Sequence, residues 1–152
     1  MNRLLFSLLS FPLFCAVSAS ASLGDSAADA ESRYGAVRGT QENASAGVIT
    51  RYYVWNGFGI AVKFMERKSQ SESYLKQNKS DFSRDEIAAL LKANNPGSEW
   101  LGIYKDSDIE RWELKTRAAA AFYYVKRRLL IISTKEFIRS GNQIKLMDEP
   151  IN

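Results

Sequence analysis

The most constraining feature of this chain is Asn56-Gly57, set between two β-rich runs, Val48–Trp55 and Phe58–Met65. Asn-Gly is the preferred pair for a two-residue type I′ hairpin, whose turn fixes the register of both strands. That register puts Trp55 opposite Phe58, Tyr53 opposite Ile60, Arg51 opposite Val62 and Ile49 opposite Phe64. Those pairs share one sheet face, apolar apart from Arg51. The opposite face carries Val48, Thr50, Tyr52, Val54, Gly59, Ala61, Lys63 and Met65 and is mixed. A sheet with one apolar face requires a second layer to cover it.

Helical signals supply that layer. Ser83-Arg84-Asp85-Glu86 is a capping box, Phe82 is placed to staple onto Ile87, and Ile87, Leu90 and Leu91 form the stripe to be buried. Asn94-Asn95-Pro96-Gly97 ends this helix. An earlier helix is expected over Ala27–Tyr34, capped by Asp25 or Ser26 and closed by Gly35. Residues 36–47 are small and polar and read as a loop. A third strand is expected at about Gln70–Lys76. Four more follow at about Glu99–Tyr104, Ile109–Lys115, Arg117–Val125 and Arg128–Ser133. Turning the last hairpin at Lys126-Arg127 sets Phe122 and Tyr124 beside Ile131 and Leu129, and Thr134 can cap a short helix ending at Arg139. The expected class is α+β, an antiparallel sheet with helices on one face. The order helix, three strands, helix, four strands, helix suggests two helix-plus-sheet units in tandem, 23–77 and 82–141, within one domain over 22–141. Residues 142–152 read as a flexible tail.

Residues 1–21 read as a secretory signal peptide: Arg3, an apolar run Leu4–Val17, then Ala19-Ser20-Ala21 as an A-x-A site. The run is shorter than the ~20 residues a membrane span needs, so an exported chain without a span is expected, periplasmic or secreted. The single Cys, Cys15, lies inside this segment, and Pro12 and Phe14 upstream of it do not fit a lipidation signal. With cleavage after Ala21 the chain has neither Cys nor His. Disulfides, His-based acid–base catalysis and nearly every familiar zinc site are thereby excluded, and no cofactor or metal is expected.

Three groups of residues could carry function. Asp106, Asp108, Glu110 and Glu113 form the densest carboxylate cluster, and paired carboxylates suit a small carboxylate-only hydrolase. Lys126-Arg127-Arg128, with Arg111, Lys115 and Arg117 and the interleaved rings of Trp112, Tyr123 and Tyr124, suit a polyanion-binding module. The net charge of +4 does not demand nucleic acid. The preferred site is a third group. Strand alternation places Tyr52, Tyr74 and Tyr123 on the less apolar sheet face, flanked by Lys63, Lys76 and Arg111. Exposed tyrosines bordered by cations favour an acidic protein or envelope polymer as partner of a monomeric, non-enzymatic interaction module.

Gly24-Asp25-Ser26, then Tyr34-Gly35-Ala36-Val37, then the hairpin with Ile60, Val62 and Phe64, resemble the small outer-membrane-assembly lipoproteins of SmpA/OmlA type. Those are similar in fold to the repeats of β-lactamase inhibitor proteins. The resemblance, over residues 23–76, implies a cell-envelope binding module with helices packed on an antiparallel sheet and no catalysis. The sequence departs from that pattern around Arg67-Lys68 and lacks a usable lipidation Cys. The stretch Ser69–Tyr74 and the triplet Ser98-Glu99-Trp100 also resemble small secreted bacterial proteins that carry no known activity.

Overall fold

The computed structural model describes residues 23–95 and 97–141. The expected signal peptide, Cys15 and the tail 142–152 lie outside the described residues. The described chain runs α1 (Ala27–Tyr34), β1 (Gly39–Asn43), β2 (Val48–Trp55), β3 (Phe58–Met65), β4 (Lys68–Lys76), α2 (Arg84–Asn94), β5 (Trp100–Lys105), β6 (Ile109–Leu114), β7 (Ala119–Tyr124), β8 (Leu129–Thr134) and α3 (Lys135–Arg139). Single 3-10 turns at Ala44–Ala46 and Val125–Arg127 join β1 to β2 and β7 to β8. The fold is α+β, as expected.

All eight strands form one antiparallel sheet in the order β1-β2-β3-β4-β8-β7-β6-β5. Each half is a helix followed by a four-stranded meander, and the last strands of the two meanders, β4 and β8, join them at the centre. The edges of the sheet are therefore the first strands of the two halves, β1 and β5. β1 corrects the loop expected over 36–47. Gly39–Asn43 is polar and mostly exposed, so no apolar alternation marks it, and it is a strand because its backbone completes the ladder of β2.

The Asn56-Gly57 hairpin has the expected register, Trp55 to Phe58 through Ile49 to Phe64, and both turn residues take positive φ. The next turn is of the same kind, with Glu66 and Arg67 in the left-handed region without glycine (φ 53° and 65°). Beyond it the β3–β4 register slips at a bulge: Phe64 faces Ser69, but Lys63 faces Ser71, leaving Gln70 as the extra residue.

Both long helices open with a capping box, Ser26 with Asp29 and Ser83 with Glu86. They lie on the face of the sheet that carries Tyr53, Ile60, Val62, Phe64, Leu130 and Ile132, and they bury Ala30, Tyr34, Ile87, Leu90 and Leu91 against it. α3 packs against β8 and β4 and buries Phe137 completely. Its Lys135 reaches Glu113, whose neighbours Trp112 and Leu114 alternate onto the α1/α2 side, so this ion pair lies on the far face.

Candidate interaction surface

The six residues of the expected face divide between the two sides of the sheet. Tyr74 pairs with Ile60 and with Leu130, on the helix side, and is fully buried. The bulge at Gln70 is the reason. Without it, the Glu66-Arg67 turn would set Tyr74 opposite Gly59, on the same face as Tyr52. Tyr123 is likewise buried on the helix side, its hydroxyl near the Phe82 amide and its ring edge-on to Phe82. Lys76 also faces the helices, and its ammonium binds both oxygens of Glu86 on α2 (2.7 and 3.0 Å).

Tyr52, Lys63 and Arg111 do lie on the far face. Lys63 is buried there, Tyr52 is half-buried with its hydroxyl donating to Gln41, and Arg111 stacks on Phe122 several strands away. The tyrosine–cation surface is therefore not assembled, and Tyr74 and Tyr123 are core residues.

Tyr74 belongs to a buried polar network that the sequence reading missed. Glu72 is completely buried and accepts from the hydroxyls of Tyr34 (2.9 Å) and Tyr74. The two hydroxyls lie 2.9 Å apart, and Asn94 donates to Tyr74 (2.9 Å). Arg33 binds Asp25 and stands 3.7 Å from Glu72. Burial raises Glu72 above the ordinary carboxyl range, against the hydrogen bonds from Tyr74 and Tyr34. The clue in sequence was a lone Glu between serines within an expected strand. A cavity of about 280 Å³ opens beside Asn56 between α1 and α2, walled by Tyr34, Trp55, Phe58 and Tyr74, rings that also pack on the core.

The four carboxylates considered for hydrolysis do not converge. Asp106 accepts from the amides of Asp108 and Ile109 (both 2.8 Å) and from the Tyr104 hydroxyl, which holds it below its usual range. Asp108 pairs with Lys126, Glu110 with Arg84 and Lys105, and Glu113 with Lys135 on the other face. The basic cluster is dispersed too: Lys126 goes to Asp108, Arg128 to Asp81 and Lys115 to Glu99. Among the described residues no group of His, Cys, Asp or Glu is placed to hold a metal, and no helix is long and apolar enough to cross a membrane.

What the structure does assemble is at the β5 end. β5 is an edge strand, and three of its side chains, Leu101, Ile103 and Tyr104, are 39%, 50% and 54% exposed. Among the described residues the other large exposed apolar side chains, Ile49 and Val54, are both on β2. On the helix side, β5 and β6 extend beyond the cover of α2 and leave a groove of about 530 Å³, with Ile87 and Leu91 on one wall and Trp100 and Trp112 on the other. Trp100 is fixed there by its indole N–H, which donates to the Leu91 carbonyl (2.7 Å). A second depression of about 370 Å³ shares Arg84 and Trp112 and runs along Gly102–Lys105. Arg84, Lys92, Lys105 and Arg111 line the two, against one carboxylate, Glu110.

No family model matches the chain, and no curated protein does. Among solved structures it is similar to an extracellular protein containing an SCP domain from Bacillus anthracis str. Ames, at 11% identity and a TM-score of 0.45 over 79% of this chain and 46% of that one. A cysteine-rich secretory protein from Staphylococcus aureus subsp. aureus Mu50 gives the same identity and TM-score over 76% of this chain and 46% of its own. The chain thus spans about half the length of these two structures.

Proposed function

We propose that this chain is an exported, non-enzymatic interaction module that holds a protein partner at the β5 end of its sheet. The observation that carries the reading is that one edge strand presents exposed apolar side chains on the far face, Leu101 and Tyr104, and borders the open groove of Trp100 and Trp112 on the helix side. Apolar side chains concentrated at one edge, with a rim of charge, have the composition of a recognition surface. Export to the periplasm or beyond the cell rests on the leader-like residues 1–21. The resemblance of residues 23–76 to envelope-assembly lipoproteins supports an envelope setting.

The test is site-specific photo-crosslinking in the producing cell. A benzoylphenylalanine placed at Leu101 should yield a discrete adduct with another protein, whereas the same probe at Thr40 on the β1 edge should not. Adducts from both edges, or from neither, would sink the reading.

A further inference from the structure

We infer that the partner contributes an extended acidic segment that adds to β5 as a ninth strand. The inference rests on the β5 reading above and names the chemistry of what binds there. Its first support is the backbone. The Lys115 amide donates to the Glu99 carbonyl (2.9 Å), so the alternation of an antiparallel ladder turns the amides and carbonyls of Trp100 and Gly102 away from β6. An edge with outward amides is a template for strand addition. The β-bulge between Gly102 and Tyr104 confines the regular part of that template to Trp100–Gly102.

Its second support is the shape beside those amides. Gly102 has no side chain, and a Cβ placed there would lie 4.0 Å from Cδ1 of Trp112. A side chain from an added strand can therefore cross Gly102 and rest on the Trp112 indole. Its third support is charge. Arg84, Lys92, Lys105 and Arg111 line the two depressions; Glu110, the one carboxylate of that lining, is already held by Arg84 and Lys105, and Arg111 is paired with Glu113 (3.6 Å), so four cations stand against two carboxylates. A second copy of this chain, paired through β5, would bring the same four cations toward themselves. An acidic partner strand brings the complement.

The probe is the synthetic peptide acetyl-Glu-Thr-Phe-Thr-Glu-Thr-Glu-amide, whose Phe and Glu side chains share one face of a strand, with hydrogen exchange at the Trp100 and Gly102 amides as the readout. Three controls accompany it: the same peptide with Lys for Glu, the acidic peptide N-methylated at alternate amides, and protein alone over a range of concentrations. The acidic peptide should slow exchange at both amides at least about tenfold at low salt, lose most of that effect in about 0.5 M salt, and bind less well to Lys92→Glu.

Equal binding by the lysine peptide would overturn the charge argument, and equal binding by the N-methylated peptide would overturn strand addition. Protection that grows with protein concentration alone would mean self-association instead. If no peptide binds while the Leu101 crosslink still forms, strand addition is wrong and the β5 surface stands. If that crosslink is absent as well, both readings fall.

Discussion

The two halves of the sheet use the same unit, a helix followed by a four-stranded meander, in opposite ways. In the first half α1 lies across its own strands: Tyr34 packs on Tyr53 and Trp55 of β2, Glu31 binds Arg51 of β2, and the Tyr34 hydroxyl reaches Glu72 of β4. In the second half α2 is drawn to the middle of the sheet. Glu86 binds Lys76 of β4, Asn94 binds Tyr74 of β4, and Phe82, just before α2, packs on Tyr123 of β7. Toward the outer strands α2 reaches through Arg84, which binds Glu110 of β6 (2.9 Å), and through the Leu91 carbonyl, which accepts from the Trp100 indole of β5 (2.7 Å). Moving one helix toward the centre seals the join between the halves and leaves the inner side of β5 and β6 open. The edges follow suit, since β1 presents Thr40, Gln41 and Glu42, whereas β5 presents Leu101, Ile103 and Tyr104.

The largest expected effect tests the sealed half. Tyr34→Ala removes a ring packed between α1 and β2 and one of the donors to buried Glu72, and should cost about 3–5 kcal/mol in chemical denaturation. Trp112→Ala in the open half, where the indole is only partly buried, should cost less than that. Equal losses would erase the distinction between the halves.

Next comes a pH experiment on Glu72. Because burial raises its pKa above the ordinary 4.5, the folded chain keeps a proton there that the unfolded chain has already lost. Stability should fall as pH climbs from 4.5 through the raised value, and Glu72→Gln should flatten that fall. A wild-type profile that rises over this window, after subtraction of the Gln variant, would show the carboxylate to be favoured in the core.

Smaller effects are expected at the helix starts. Ser26→Ala and Ser83→Ala each remove an N-cap acceptor and should cost about 1 kcal/mol by thermal unfolding. The smallest belongs to the proposed surface: Ile103→Thr should change stability by no more than about 0.5 kcal/mol. A loss above ~2 kcal/mol would make Ile103 part of the fold instead of a contact surface.

How much of this was legible in the sequence depended on whether a strand has one apolar face or two. The Asn56-Gly57 hairpin alternates strongly, so its pairs and its buried face could be read directly. Leu129–Ile132 is apolar at every position, so alternation could pair Phe122 with Ile131 but could not say which side met the helices. The side with Tyr123 and Leu130 did, leaving Phe122 and Tyr124 stacked on the far face. Tyr74 was misplaced by one bulged residue, a backbone event with no composition of its own. The groove was invisible for another reason. Trp100 and Trp112 are obvious in the sequence, but their partial exposure depends on where α2 sits on the sheet.

The bulge at Gln70 has a consequence for how this chain can change length. It stores one residue of slack between a tight turn and the strand that carries Glu72 and Tyr74. Removing a single residue there can be absorbed by straightening β4, with both side chains still facing the helices. Adding one has no such outlet: the phase of β4 inverts, and a buried carboxylate and phenol exchange places with Ser71 and Ser73. The segment after the Glu66-Arg67 turn is thus permissive toward deletions and closed to insertions, the reverse of an ordinary surface loop.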